Sequence, residues 1–421
     1  MHRRALHFGA FLLALAACPR VLAHVGPPVA FGVLAQDAEG PRAVSLNAGV
    51  ALRRSAQRYQ FVCPGAWQDQ FSAPLAALAD GTIVVGATRG LMLLDEAGSL
   101  RAHPDPAAVG RSTDLVRSAR GVFSLRPALQ GSELLAIDAQ TVRVLWRDTT
   151  SWSSLAASAD KLVLVRGANR LLEMVVISAA DGSELERSSA ALDLPLDYAF
   201  ARANSSSAFA LVVYRSGSMA LGSLGMNAFT KLGDAELSIA GPLSVENTLL
   251  LALDGKLEQV SEGAALPLAD EHNVVCLGEL DGLTYACERE GISRVSAQLV
   301  GDPLFRFNWL TPPALEEVPE GDPRMLCNMQ WQDFLLDMQL AMLGPLINSS
   351  EGVAGSAPLP AAGAGAAGMP ALVAMQPVQP VQPQSTGCAT LPGSRRGAYL
   401  FWAMLASVVL LGRYSRKCKL I

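Results

Sequence analysis

Short turns recur at nearly even intervals through the middle of this 421-residue sequence, and they constrain its fold more than any other feature. Each turn is flanked by apolar runs rich in Val, Leu and Ala, and neighbouring turns are separated by roughly 35 to 46 residues. The seven turns are Glu39-Gly40, Asp80-Gly81, Arg120-Gly121, Asp160, Asn204–Ser207, Glu246-Asn247 and Asp281-Gly282. A period of this length is typical of proteins built from repeated supersecondary units.

The clearest unit, residues 74–102, shows what each repeat contains. It reads PLAALADGTIVVGATRGLMLLDEAGSLRA, in which short apolar runs alternate with glycine-containing turns. Asp-Gly between apolar runs is a strong hairpin signal. Four short strands in about forty residues are the size of one propeller blade. Seven such units predict an all-β domain folded as a seven-bladed β-propeller.

Two other architectures fit the pattern less well. A helical solenoid requires a sustained apolar period of about 3.6 residues, and residues 27–310 show none. A pair of β-sandwiches requires a linker near the middle of the domain, and none is visible there.

The order of turns and strands in the first two units also resembles that of a known group of proteins. Residues 31–100 are similar to bacterial surface propellers of the BNR/sialidase-like and YVTN-like type. The resemblance is carried by an Asp-Gly-Thr, strand, Gly-Leu, strand, Asp-x-x-Gly order, which begins here at Asp80 and ends at Gly98. It implies a propeller fold and a surface location, but no particular activity.

The N-terminus carries an export signal. Two arginines precede an apolar stretch over residues 5–17, and small residues follow at the −3 and −1 positions of a cleavage site after Ala23. We therefore assign residues 1–23 to a secretory signal peptide. A rival site remains open, because the letters LAAC fit a lipobox that would make Cys18 a lipidated N-terminus.

A second apolar run, residues 398–412, predicts a transmembrane helix near the C-terminus. Such a helix would be roughly 22 Å long, which is shorter than the ~30 Å hydrocarbon core of a bilayer. Flanking cations that reach the headgroups can compensate for the difference. The cations that follow the run, and that favour a cytoplasmic tail, are Arg413, Arg416, Lys417 and Lys419.

The segment before this anchor has the composition of a linker. Residues 349–386 consist mainly of Ala, Gly, Pro, Val and Gln, and no charged residue occurs between Glu351 and Arg395. We expect its first half to be flexible and its Pro-rich second half to prefer polyproline II. Its role would be to hold a globular head clear of the membrane.

Gly387 and Cys388 begin the segment of residues 387–421, and a Pro-containing spacer, the apolar run and the basic end follow. This order of features resembles the tripartite sorting signals called MYXO-CTERM. In that family a membrane protease is thought to cut near the Cys, which is then carried to the cell surface and lipidated. The resemblance therefore implies a sorting protease as a partner and Cys388 as the point of membrane attachment.

Four cysteines lie between the terminal signals: Cys63, Cys276, Cys287 and Cys327. An even number in an exported domain suggests two disulfides. Cys276 and Cys287 straddle the Asp281-Gly282 turn. A two-residue hairpin turn would place them opposite each other, at a distance that suits a disulfide.

The remaining pair, Cys63 and Cys327, would then be left to bond with each other. One lies in the first blade and the other after the last, and a propeller brings those blades side by side. Such a disulfide would close the ring with a covalent link. A zinc site is not expected, because no Cys-x-x-Cys pair and no histidine in ligand spacing accompanies these cysteines.

Composition argues against several classes of function. The net charge is −5, and no Lys/Arg cluster occurs outside the two ends, which argues against a nucleic-acid partner. Histidines are scarce, and we expect His103, in a Pro-rich connection between blades, and His272 to lie on the surface. No P-loop, dinucleotide-binding or nucleophile-elbow motif occurs. We therefore predict no catalytic residue, no cofactor and no metal, and hence no enzyme.

The sequence changes character after the predicted propeller, which we assign to residues 24–310. An acidic, Pro-rich connector begins the closing segment, residues 311–348. Apolar side chains then recur at helical spacing at Phe334, Leu335, Met338, Ala341 and Met342. We expect a short helix that packs against the propeller.

These features together indicate an exported, membrane-anchored propeller at the cell surface, acting as a recognition or scaffold module for an unknown protein or glycan. The alternative is a divergent, sialidase-like glycan hydrolase with its site in the central mouth, because a catalytic carboxylate pair is defined by spatial and not by sequence spacing. The lining of the mouth discriminates between them. Converging Arg and carboxylate side chains would favour the hydrolase, whereas Ala, Ser and Leu would favour binding.

Overall fold

The computed structural model has seven four-stranded antiparallel blades, which confirms the prediction of a seven-bladed β-propeller. It describes residues 29–67, 73–204, 206–225, 227–246, 248–261, 264–268, 273–296, 300–313, 327, 330–332, 334–336 and 338–339. The predicted signal peptide, linker, sorting signal and transmembrane helix lie outside these residues. His272 and the cysteines of the two ends, Cys18, Cys388 and Cys418, also lie outside the described residues.

Each blade is an up-and-down meander whose first strand is innermost. Blades 1 to 4 comprise β1 Ala30–Asp37, β2 Gly40–Leu46, β3 Gly49–Ser55, β4 Arg58–Val62; β5 Leu75–Ala77, β6 Ile83–Ala87, β7 Gly90–Leu94, β8 Leu100–Ala102; β9 Asp114–Ser118, β10 Gly121–Pro127, β11 Ser132–Ile137, β12 Val142–Asp148; β13 Ser154–Ala157, β14 Lys161–Ala168, β15 Leu171–Ser178, β16 Glu184–Ala191. Blades 5 to 7 comprise β17 Leu196–Ala203, β18 Ala208–Tyr214, β19 Met219–Leu224, β20 Phe229–Ala235; β21 Ile239–Val245, β22 Thr248–Leu253, β23 Lys256–Ser261, β24 Ala264–Pro267; β25 Val274–Leu280, β26 Leu283–Glu288, β27 Gly291–Val295, β28 Val300–Arg306. Short 3₁₀ helices occupy Pro64–Trp67, Pro106–Ala108 and Phe307–Trp309.

All seven turns identified in the sequence join the first and second strands of a blade. The Asp281-Gly282 turn is a two-residue hairpin in which Leu280 pairs with Leu283. Both turn residues have positive φ, +48° and +79°, the conformation that Asp and Gly tolerate best. At Asp80, the side chain accepts a hydrogen bond of 2.9 Å from the backbone N–H of Thr82. Such side-chain bonds explain why Asp recurs at the turns.

The hydrophobic core lies between neighbouring blades. Inner strands carry continuous apolar runs because a blade covers each of their faces; all five residues of β6 are buried, for example. The outermost strands face solvent on one side, and β16 accordingly begins with four exposed residues. Separate apolar clusters join blades 2 and 3, 3 and 4, 4 and 5, and 6 and 7, while a larger one joins blades 7, 1 and 2.

Three contacts close the ring between blade 7 and blade 1. The innermost strands β25 and β1 touch, and Gln36 Nε2 donates a 2.7 Å hydrogen bond to the carbonyl oxygen of Leu280. A final short strand, β29 (Leu310–Thr311), pairs in parallel with the outermost strand of blade 1. The disulfide between Cys63 and Cys327 adds a covalent link, with 5.3 Å between the two Cα atoms.

A helical segment covers this closure. It is helical at residues 327, 330–332, 334–336 and 338–339, and we call it the closing helix. Trp331 and Phe334 are buried in the cluster of blades 7, 1 and 2, and Leu335 and Met338 pack against it. The described part of the predicted stripe, Phe334, Leu335 and Met338, therefore faces the propeller, whereas Ala341 and Met342 lie outside the described residues. Nowhere in the described part of the chain is a helix both long and apolar enough to cross a membrane.

Candidate functional site: the connection face

The direction of the strands sorts the loops between the two faces of the disc. The first strands of all blades run the same way along the central channel, as in any ring of identical meanders. We call one face the connection face, because it holds the links between blades and the turns between second and third strands. The opposite, hairpin face holds the turns between first and second and between third and fourth strands.

Two arginines near hairpin-face turns of blade 1 contact blade 2. Arg42 of blade 1 forms an ion pair with Glu96 of blade 2. Arg54 of blade 1 also reaches blade 2, where it donates to the carbonyl oxygen of Ala97 at 3.0 Å. The face therefore holds neighbouring blades together through its own turns.

Exposed apolar side chains distinguish the connection face. Ten large hydrophobic residues of the described chain are exposed, and none lies within a turn of the hairpin face. Four lie in loops of the connection face: Val109, Leu129, Leu194 and Leu237. Leu171 begins a strand at that face, and Tyr198 is the third residue of another. Of the other four, Val144 and Leu185 lie near the hairpin-face ends of outermost strands, Leu266 lies on a third outermost strand, and Leu336 lies on the closing helix.

Three of the six exposed apolar side chains at the connection face lie in or next to blade 5. Leu194 and Leu237 lie in the connections before and after blade 5, and Tyr198 lies on its innermost strand. Tyr198 is 39% exposed and stacks on Phe200, with 6.3 Å between ring centroids. An exposed aromatic ring and two exposed leucines in and around one blade favour a contact surface.

A pocket of about 470 Å³ lies beside the outer strands of blade 2. Its apolar lining includes Trp67, Met92 and Leu100, and Arg89 and Asp105 contribute charge. The indole Nε1 of Trp67 is buried and has no hydrogen-bond partner within the described part of the chain. A buried donor without an acceptor costs roughly 1 to 3 kcal/mol, so this feature is unusual in a folded protein.

His103 also lines the pocket, but it is buried, which corrects the expectation of a surface histidine. The backbone N–H of Asp105 donates to Nδ1 at 3.1 Å. Nε2 then carries the proton, and it lies 2.7 Å from the carbonyl oxygen of Asp138 in blade 3. Both nitrogens are therefore used to hold the connection between blades 2 and 3. The Pro-rich loop folds back onto the blades, and no local sequence signal indicates this.

The central mouth on the hairpin face contains a paired Arg and Asp. Arg117 of β9 donates from Nη2 to both carboxylate oxygens of Asp281, at 3.2 and 2.9 Å. These residues belong to blades 3 and 7, which are not neighbours, so the ion pair crosses the channel. Arg and carboxylate side chains do converge in the mouth. This is the convergence expected of the hydrolase alternative, but the two charges are paired with each other; the Asp281 side chain is 52% exposed and that of Arg117 is 23% exposed.

A second carboxylate, Asp114, lies deeper, between the innermost strands of blades 3 and 4. Its Oδ2 accepts from the backbone N–H of Leu155 at 3.0 Å, and its Oδ1 accepts from that of Leu115 at 3.0 Å. Burial raises the pKa of Asp114 to about 6, although these hydrogen bonds and the charge of Arg202 favour the ionised form. The mouth thus combines charged groups with the small residues of the inner strands.

We expect the Asp114→Asn variant to lose a pH dependence of stability that the parent protein shows. The pKa in the folded state, about 6, lies above the ordinary value of 3.8, so the folded state binds this proton more tightly than the unfolded chain. The contribution of Asp114 is greatest below pH 3.8 and is lost as the pH rises through about 6. The loss amounts to at most about 3 kcal/mol.

Urea unfolding at a series of pH values, with the disulfides intact, measures this effect. The amide oxygen of Asn can still accept from the backbone N–H of Leu155, so we expect the variant to fold. Relative to the variant, the parent should become less stable between pH 4 and pH 7. A stability difference that stays constant over that range would contradict the assignment.

The predicted cysteine pairs are both present as disulfides. Cys276 and Cys287 face each other across β25 and β26, with a Cα–Cα distance of 4.8 Å. Cys63 and Cys327 form the ring-closing bond described above. The remaining predicted positions lie outside the described residues: Cys18, Ala23, Gly387, Cys388, Arg413, Arg416, Lys417 and Lys419.

Sequence reasoning did not find the pocket or the cross-channel ion pair. Arg89 is part of an ordinary turn, and Trp67 has no neighbouring motif that marks it as functional. Arg117 and Asp281 are 164 positions apart. Within the described residues, no group of His, Cys, Asp or Glu side chains is arranged to hold a metal ion.

Comparison of the chain with protein-family models and with curated proteins gives no match. Among solved structures, the computationally designed Ika8 protein is similar, with 14% identity, a TM-score of 0.38, and coverage of 63% of this chain and 83% of that chain. PorZ, a surface component of the type-IX secretion system of Porphyromonas gingivalis, has 12% identity, a TM-score of 0.38 and coverage of 66% and 40%. The extracellular domain of BT4673 from B. thetaiotaomicron has 10% identity, a TM-score of 0.41 and coverage of 63% and 38%.

This chain therefore spans well under half of the length of the PorZ and BT4673 chains. All three TM-scores lie below 0.5, so we base no argument about function on these similarities.

Proposed function

We propose that this chain is an exported, membrane-anchored β-propeller of the cell surface that binds a protein or glycan ligand through its connection face. The carrying observation is the asymmetry between the two faces. Exposed apolar side chains occur in the loops of the connection face, whereas the turns of the hairpin face carry none among the described residues. Exposed apolar side chains that collect on one face of a domain favour an interaction surface there.

The rigidity of the disc suits this role. Loops that bind ligands are usually positioned by a rigid scaffold. Here the scaffold is a ring held by interblade cores, the ion pair of Arg117 with Asp281 across the channel, and the Cys63–Cys327 bond. The proposal assigns recognition and not catalysis to the chain, and it requires no cofactor.

Export and anchoring rest on the two ends of the sequence. Disulfides such as the two found here persist in oxidising compartments outside the cytoplasm. The signal over residues 1–23 supports export, and the order of features from Gly387 to Ile421 supports attachment by a transmembrane helix or through a lipidated Cys388 after cleavage by a sorting protease. Mass spectrometry of the mature protein would identify both ends and any lipid.

The binding face is tested with matched substitutions. In one variant, Leu194→Glu and Leu237→Glu place charges on the connection face at side chains that are 48% and 57% exposed. In the control, Leu185→Glu and Leu266→Glu place charges on outermost strands instead, where both side chains are 53% exposed. The full-length protein and both variants are applied to immobilised glycans and to purified envelope proteins.

We expect the parent and the control to bind the same ligand, and the connection-face variant to bind it at least about tenfold more weakly, since tenfold corresponds to 1.4 kcal/mol. Equal loss in both variants would contradict the assignment of the face. Hydrolysis of fluorogenic glycosides by the parent would contradict the recognition role itself and favour the hydrolase.

A further inference from the structure

The pocket at blade 2 has the features of a small-molecule site. Its volume of about 470 Å³ lies within the range of ligand pockets. Met92 and Leu100 are only partly buried, and Val109 at its edge is 70% exposed. The pocket therefore offers apolar surface that a ligand can cover.

Arg89 is the charged group of this pocket that the fold leaves free. Its guanidinium makes no hydrogen bond or ion pair in the described part of the chain, and the side chain is exposed. The carboxylate of Asp105, in contrast, accepts from the backbone N–H groups of Ala107 at 2.8 Å and Val142 at 2.7 Å. These hydrogen bonds hold the pKa of Asp105 below its ordinary value, so this charge is constant and is used inside the fold.

One donor thus lies at the pocket without an acceptor in the described part of the chain, the guanidinium of Arg89. The histidine that lines the pocket has both nitrogens occupied. A ligand that supplies oxygen acceptors would pair with Arg89, and an apolar body would cover Met92 and Leu100. Carboxylates are the natural partners of arginine because the two groups match in charge and in geometry.

We propose that the blade 2 pocket binds a small organic carboxylate with a compact apolar or aromatic body. The carboxylate pairs with Arg89, and the body packs on Met92, Leu100 and the part of the Trp67 side chain that lines the pocket. This site goes beyond the proposed function, because it takes a small molecule and does not depend on recognition of a macromolecule by the loops around blade 5.

Phenylacetate is a suitable probe, and phenylacetamide is its uncharged counterpart. Binding to the full-length protein is measured by calorimetry up to millimolar ligand, and the indole N–H resonance of Trp67 is followed by NMR after assignment with Trp67→Phe. We expect phenylacetate to bind and to shift that resonance. Phenylacetamide should bind at least about tenfold more weakly, because it lacks the charge that Arg89 recognises.

The variant Arg89→Met removes the charge and keeps much of the length of the side chain. We expect it to weaken phenylacetate binding at least about tenfold. The control Arg101→Met removes a neighbouring exposed charge that does not line the pocket, and should change binding less than about twofold.

Several results would overturn the proposal. These are failure of the folded parent to bind phenylacetate at millimolar concentration, equal binding of acid and amide, and unchanged binding by Arg89→Met. The connection-face variant Leu194→Glu/Leu237→Glu should still bind phenylacetate. The two proposals can therefore fail separately.

Discussion

Replacement of both Cys63 and Cys327 by alanine is expected to lower the free energy of unfolding by about 5 kcal/mol. The bond joins residues that are 264 positions apart, so its loss restores a large amount of loop entropy to the unfolded chain. Both cysteines are buried, and alanine introduces no polar group at either site. Urea unfolding of the parent and the variant at neutral pH measures the difference.

The second disulfide provides the matched control. Cys276 and Cys287 are also buried, but their sequence separation is only 11. The same loop-entropy relation gives about 3 kcal/mol for the double alanine variant. We therefore expect the ring-closing pair to matter more. An equal or smaller effect of its removal would show that β29 and the closing helix close the ring without help from the bond.

Phe61→Ala is expected to destabilise the protein by about 3 to 5 kcal/mol, the usual cost of truncating a buried phenylalanine. Phe61 is fully buried at the end of the outermost strand of blade 1. Its ring lies 5.1 Å from that of Phe334 and 5.5 Å from that of Trp331, both in the closing helix. The substitution should therefore also loosen the helix from the propeller, which hydrogen exchange of residues 330–339 would measure.

Phe123→Ala separates the two effects. Phe123 is 2% exposed and belongs to the core between blades 3 and 4, away from the closing helix. It should cost a similar free energy of unfolding without faster exchange in the helix. If both variants left the exchange of the helix unchanged, the aromatic contacts would not be what holds it.

The blade plan could be predicted from the sequence because its signals are local. An Asp-Gly turn such as Asp281-Gly282 forms its hairpin with residues a few positions away, and this also fixes Cys276 opposite Cys287. Apolar runs on both sides of each turn then define the inner strands. Periodic recurrence of these local signals is enough to specify the number of blades.

The features of the candidate site could not be predicted because they depend on contacts between distant residues. His103 is buried because its Nε2 meets a carbonyl of the next blade, which no neighbouring residue reveals. Arg117 and Asp281 meet only after the ring has closed. The pocket arises where the loop after blade 1 approaches blade 2, and the free state of Arg89 is evident only in three dimensions.

The placement of the ring-closing bond also has a mechanical consequence. Tension applied to the chain that follows the closing helix acts first on the helix, which Trp331 and Phe334 anchor in the propeller core. It then reaches Cys327, where the sulfur–sulfur bond passes it directly to Cys63. The short pairing of β29 with β4 and the outer strand of blade 7 are thereby excluded from the load path. A pull on the C-terminal side acts on the first blade through a covalent connection, and does not peel the last blade away strand by strand.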